Sequence, residues 1–98
     1  MRPKLEATAP TWVSRMRFWT AVHELGHTFG MLHTPCGTPP SVDPNYPYQG
    51  GRSGGYGLDV ANAALKVPSL PDIMGYCENP WISDYTYTGV LSYRAAES

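Results

Sequence analysis

One segment constrains this chain more than any other: His23-Glu24-Leu25-Gly26-His27-Thr28-Phe29-Gly30-Met31-Leu32-His33, which carries all 3 of its histidines on a fixed spacing. Positions four apart stack on one face of a helix, so His23 and His27 offer two imidazole nitrogens to one point. Glu24 lies about 100° around the helix from His23, beside that point rather than on it. Continuing the helix would carry His33 away. Gly30 removes the obstacle, because a residue without Cβ can end a helix in the left-handed conformation and turn the chain sharply. His33 then swings back as a third nitrogen. Three protein nitrogens leave the fourth corner of a tetrahedron open to water, the arrangement of a catalytic rather than a structural zinc ion.

The bland alternative is a helix that carries histidines on a solvated face. It accounts for His23, Glu24 and His27 but not for Gly30 and His33. At average residue usage, five fixed positions recur by accident in a chain of this length about once in several hundred thousand, so coincidence is set aside. The same helix has a second face. Phe18, Val22, Leu25 and Phe29 follow i, i+4, i+7 and i+11 and project within about 60° of one another. The expectation is that this stripe packs into a core while the opposite face lines a cleft.

The pattern H-E-x-x-H-x-x-G-x-x-H resembles that of the metzincin zinc metalloproteases. A second segment, Asp72-Ile73-Met74-Gly75-Tyr76, is similar to the Met-turn of that family, which places a methionine beneath the zinc site. Met74 by itself would read as an ordinary core methionine. Tyr76 matches the Met-x-Tyr form of astacins and serralysins, in which the tyrosine stabilises the oxyanion of the transition state; the plain reading is a buried or interfacial tyrosine among 7. Thr34 does not decide a subfamily, since matrixins commonly carry Ser there, adamalysins Asp, astacins Glu and serralysins Pro. Residues 43–48 and 81–87 are similar to bacterial secreted metzincins of the reprolysin-like or mucin-directed kind.

The resemblance spans roughly residues 18 to 98. It implies an α+β, metzincin-like catalytic domain, mainly its lower subdomain: active-site helix, long Pro/Gly-rich loop, Met-turn and C-terminal helix. The upper β-sheet, whose edge aligns the substrate in metzincins, has no room in the roughly 20 residues before His23. Residues 1–98 are therefore expected to form a single, partial peptidase domain whose missing N-terminal part would leave Phe18, Val22, Leu25 and Phe29 partly exposed. The implied activity is hydrolysis of peptide bonds in proteins or peptides. His23, His27 and His33 hold Zn²⁺, Glu24 takes a proton from the attacking water and passes it to the leaving amine, and Tyr76 assists the oxyanion. Two rivals stand beside it: a catalytically incomplete zinc-binding fragment serving as a structural or interaction module, and a zinc hydrolase of non-peptide substrates.

Charge and length narrow the partners. A formal net charge of -1 with 15% charged residues gives no basic face for nucleic acid or an anionic membrane. No apolar run approaches the ~20 residues of a membrane span. Met1-Arg2-Pro3-Lys4 leads into no hydrophobic stretch, so no secretory leader is expected within these residues. Cys36 and Cys77 form an even pair near the two ends of one substructure. They read either as a disulfide or as two buried thiols; a bridge would close a loop of about 40 residues, add about 3 to 4 kcal/mol, and point to a secreted or extracellular protein. Structural Ca²⁺ near Asp43 or Asp59 lacks any EF-hand-like loop.

Along the chain, residues 1 to 13 read as an irregular lead-in, and a helix from about Ser14, as N-cap, to Phe29 carries the first two histidines. From Thr34 to Gly57 the chain is rich in proline and glycine; a loop this long is expected to wrap the lower wall of the cleft and shape its side-chain pocket. Gly50-Gly51-Arg52-Ser53-Gly54-Gly55 lacks the lysine and helix of a phosphate loop. Leu58–Val60 and Ala64–Val67 are expected to form a short hairpin around Asn62. Ser83 or Asp84 caps a final helix with Tyr87, Val90, Leu91 and Arg94 on one face. Trp81, Tyr85 and Tyr87 read as packing of that helix on the core, or as a sugar- or peptide-stacking platform.

Overall fold

The computed structural model describes residues 11–97. It is a small α+β domain: helix α1 (Thr11–Thr28), a single 3-10 turn (Gln49–Gly51), strands β1 (Gly57–Asp59) and β2 (Ala64–Lys66), and helix α2 (Asp84–Glu97). Residues 1–10 of the expected lead-in lie outside the described residues. Helix α1 starts at Thr11 rather than after Ser14, which sits inside the helix and is not its cap. Nothing between Thr11 and Ser14 breaks a helix, so the cap signal at Ser14 yields to continued main-chain hydrogen bonding.

Gly30 ends α1 as the sequence requires. Its φ is 81°, and Gly30 N–H donates to the His27 carbonyl while Met31 N–H donates to Gly26, both at 3.0 Å. This pair of bonds is the Schellman arrangement with glycine in the left-handed position. A Cβ at Gly30 would also meet the Tyr93 ring of α2 at 2.9 Å.

The two strands pair antiparallel with Leu58 opposite Leu65; β1 lies one residue earlier than expected and β2 ends one residue sooner, at Lys66. Asp59 accepts hydrogen bonds from the Asn62 side chain and main chain across the turn. The Thr34–Gly57 segment is tied down rather than loose. Ser53 N–H donates to Leu70 (2.6 Å), Gly54 N–H to Pro68 (3.0 Å), and Gly51 accepts from Asp72 N–H (2.8 Å).

Among the described residues the buried hydrophobic side chains of the core are Ile73 and Met74, and they are outnumbered by buried polar ones, including Thr34, Ser53, Asp72, Ser83 and Thr86. Asp72 organises this interior. Its carboxylate accepts from Met74 N–H (2.9 Å), Ser83 N–H (2.8 Å) and the Thr86 hydroxyl (3.0 Å). Ser83, not Asp84, is the N-cap of α2: its hydroxyl accepts from Thr86 N–H at 3.1 Å. A buried carboxylate at a helix N-terminus is stabilised by the aligned peptide dipoles there.

The inner face of α2 keeps only Val90 of the expected Tyr87, Val90 and Leu91. Tyr87 and Leu91 are exposed, whereas Thr86 is buried and Gly89 and Val90 are half-buried. Gly89 lets Met31 come close, and Tyr93 packs edge-on to Phe29 at 6.2 Å. The cap at Ser83 fixes the rotation of α2 and selects this face. Trp81, Tyr85 and Tyr87 do not form one cluster: Trp81 stacks edge-on to Trp19 (6.4 Å) under Gly57, Tyr85 packs on Tyr46 (5.3 Å), and Tyr87 faces outward. The stripe on α1 is not covered by a core. Phe18 is 60% and Leu25 52% exposed, with Val22 and Phe29 half-buried.

Candidate metal centre

Two segments supply the histidines. His23 and His27 come from α1. His33 is held beside Val42 by main-chain bonds, its N–H donating to Ser41 (3.3 Å) and its carbonyl accepting from Asp43 N–H (2.8 Å). Each ring donates through Nδ1 to a main-chain carbonyl: His23 to Ile73 (2.7 Å), His27 to Met31 (2.8 Å) and His33 to Pro40 (2.6 Å). A carbonyl cannot donate, so each Nδ1 carries a proton, and a ring with no second proton turns a bare Nε2 lone pair the other way.

Those lone pairs face one another. Nε2 of His27 lies 3.2 Å from that of His23 and 3.0 Å from that of His33. Three acceptors with no donor among them repel unless a cation sits between them. Four-coordinate zinc with Zn–N bonds of about 2.0–2.1 Å separates its nitrogens by about 3.3 Å, close to these distances. His23, His27 and His33 thus fit a divalent metal ion, and they are the group of metal-ligating side chains found among the described residues. The bonds at Nδ1 are the outer contacts that fix ring orientation in metal–histidine sites.

The floor of the site is the turn at Asp72–Gly75. Met74 is 1% exposed and lies against Gly26, whose missing Cβ leaves the room its sulfur occupies. The Asp72 carboxylate bonds Met74 N–H and so fixes the turn whose Ile73 carbonyl holds His23. Cys36 and Cys77 are joined by a disulfide, with Cα atoms 5.7 Å apart. Thr34 N–H donates to Met74 (3.1 Å) and Tyr76 N–H to Cys36 (2.8 Å), which seats the chain after His33 along the turn. The hydroxyl of Thr34 is buried without a hydrogen-bond partner.

Glu24 and Tyr76 border the trio on the solvent side. The Tyr76 ring lies 4.9 Å from that of His33 and 6.0 Å from that of His23, and its side chain is 53% exposed. Glu24 is exposed and lines, with His23 and Tyr76, an open cleft of about 510 Å³. The Thr34–Gly57 segment does not wall this cleft, contrary to expectation. Residues Gly75 to Pro80 and the α1 residues Trp19 and Thr20 do. The disulfide and the Gly51–Asp72 bond hold the long segment beneath the histidines instead.

A second cavity, about 520 Å³, borders Asp43, Tyr48, Asp84 and Tyr85 and contains no histidine. Its polar groups satisfy one another: Tyr85 donates to Asp43 and Tyr48 to Asp84, both at 2.6 Å, and each bond raises the pKa of the tyrosine above the usual phenol range. Asp43 also accepts from Asn45 N–H, and Asp59 is engaged by Asn62, which lowers its pKa. Both carboxylates serve as local caps, and neither joins a group that holds Ca²⁺ among the described residues.

Sequence reading missed Asp72, Trp19, Glu78 and the carbonyls of Ile73, Met31 and Pro40. An aspartate two residues before Met74 carries the signature of a side chain bonding its own backbone two residues on, and that signal was open to reading. The carbonyls carry none. No protein-family model, curated protein or solved structure matches this chain.

Proposed function

We propose that this chain is the metal-bearing part of a zinc-dependent endopeptidase of the metzincin type, acting on peptide bonds in proteins. The observation that carries the reading is the set of three bare Nε2 atoms converging beside an exposed carboxylate at an open cleft. Zinc held there supplies a Lewis acid that polarises a carbonyl and acidifies a water. Glu24 accepts the proton of the attacking water and returns it to the leaving amine. The Tyr76 phenol, free on the solvent side of the trio, donates to the carbonyl oxygen as it gains charge. The three Nδ1 bonds keep the rings from turning away between turnovers.

The turn at Met74, packed under Gly26, supports the metzincin reading of the fold. The disulfide agrees with an extracellular location, since such bridges persist in oxidising compartments. No described helix is long and apolar enough to cross a membrane.

Replacing Glu24 by Ala should leave one zinc per chain and lower kcat/KM on a peptide by about 10²- to 10⁴-fold. Undiminished hydrolysis by that variant would remove the mechanism. Replacing His33 by Ala should abolish stoichiometric metal, measured by elemental analysis. The second reading, a zinc-binding module without turnover, draws on the exposed Phe18 and Leu25 and on the lack of any described sheet beyond β1 and β2. Wild-type protein that holds zinc and cuts no member of a peptide library, with or without chelator, decides for it.

A further inference from the structure

The cleft beside the trio carries a charge pattern that selects its occupant. Its body is apolar, from Trp19, Ile73 and Pro80, while Glu24 and Glu78 stand on its rim. No lysine or arginine lines it among the described residues. Among the described residues, neither glutamate carboxylate has a hydrogen-bond or ion-pair partner. Glu24 sits beside the histidines and is committed to proton transfer. Among the described residues, Glu78 is left as an exposed, unneutralised negative charge.

Its backbone is held firmly. Cys77, one residue before, is bridged to Cys36; Asn79, one residue after, turns the chain with φ 56°; and Trp81 N–H donates to Pro71 at 2.9 Å. The backbone that presents this carboxylate is ordered in advance, so binding has to order only the glutamate side chain. A side chain with an apolar stem and a cationic tip fits such a cleft: the stem covers Trp19 and Pro80 while the tip reaches the carboxylate. An acidic side chain meets two like charges there.

Building on the peptidase reading above, we propose that Glu78 is a specificity-determining residue that makes the chain prefer substrates with lysine or arginine beside the scissile bond.

The test uses the zinc-loaded chain and three peptides identical except for Lys, Gln or Glu at one position flanking the cut, tried on each side in turn. Their kcat/KM values are measured, along with the affinities of the matching peptide hydroxamates by calorimetry. On the selective side the Lys peptide should exceed the Gln peptide roughly tenfold, with Glu the poorest. Glu78→Gln should bring the Lys-to-Gln ratio to within about twofold, and Glu78→Lys should invert the order in favour of Glu. Zinc content and disulfide formation, read by elemental analysis and mass, report that each variant is folded.

Equal use of Lys and Gln peptides on both sides, or a Lys preference that survives Glu78→Gln, overturns the proposal while leaving the peptidase standing. Hydroxamates that bind with the Lys preference, with no peptide cut, refute the peptidase and leave the charge selection standing. No cutting and no preference refutes both.

Discussion

The underside of the histidine trio and the outer faces of α1 and the hairpin are built on opposite principles. Beneath the trio nearly every group is bonded: three ring nitrogens to carbonyls, one carboxylate to three donors, one disulfide, and Met74 packed into the space left by Gly26. On the outer faces Phe18, Leu25, Leu58, Val60 and Leu65 stand between 52% and 81% exposed. With Ile73 and Met74 as the buried hydrophobic side chains among the described residues, apolar burial contributes little to holding this fold. The contrast teaches that order here is concentrated where a metal would sit and maintained by polar contacts and a covalent staple.

If so, removing the cross-links should cost far more than altering the apolar faces. Metal comes first. A thousandfold excess of zinc over its dissociation constant is expected to stabilise the fold by about 4 kcal/mol, and chelation should remove that gain. Thermal unfolding followed by circular dichroism, with and without chelator, reads the shift. An identical melting temperature in both states would mean that the trio does not bind metal in the folded protein. Next is the bridge. Converting Cys36 and Cys77 to Ser should cost about 3 to 4 kcal/mol for a loop with a sequence separation of 41. A loss under 1 kcal/mol in urea titration would show that hydrogen bonds alone keep the floor in place.

The two halves of this contrast were unequally legible in the sequence. His23, His27, Gly30 and His33 could be placed because helical geometry and left-handed glycine act locally, within eleven residues. Met74 and the Cys36–Cys77 pair needed a resemblance or an even cysteine count, and the structure joins the cysteines and sets Met74 under Gly26. The inner face of α2 could not be read from spacing. Tyr87 and Leu91 have the right period, but the cap at Ser83 and its bond to Asp72 decide the helix's rotation. The wall of the cleft was misassigned for a similar reason. Proline and glycine mark residues 34–57 as a loop without saying where the Gly51–Asp72 bond will carry it.

Smaller effects sharpen the comparison. Asp72→Ala should cost about 2 to 3 kcal/mol, because Met74 and Ser83 N–H and the Thr86 hydroxyl lose a charged acceptor in a buried place. It should also weaken zinc about 10- to 100-fold by loosening the Ile73 carbonyl that orients His23. Full zinc affinity in a destabilised variant would separate the floor from the site above it. Gly26→Ala should cost about 1 to 3 kcal/mol, since its methyl group collides with the Met74 sulfur. Pairing it with Met74→Ala should recover part of the loss, and no recovery would mean that the two do not meet.

The smallest effect is expected on the outer face of α1. Phe18→Ser and Leu25→Ser remove side chains that are 60% and 52% exposed, so each should change stability by about 0.5 kcal/mol or less. Their consequence lies in association. Exposed apolar groups on one helix face drive contacts between molecules, so the double variant should sediment as a smaller species than wild type at the same concentration. Urea midpoints and sedimentation velocity measured on one preparation separate the two effects. A loss of 2 kcal/mol or more would place Phe18 and Leu25 in a packed interior, and the division between a bonded floor and an uncovered outer face would fall with it.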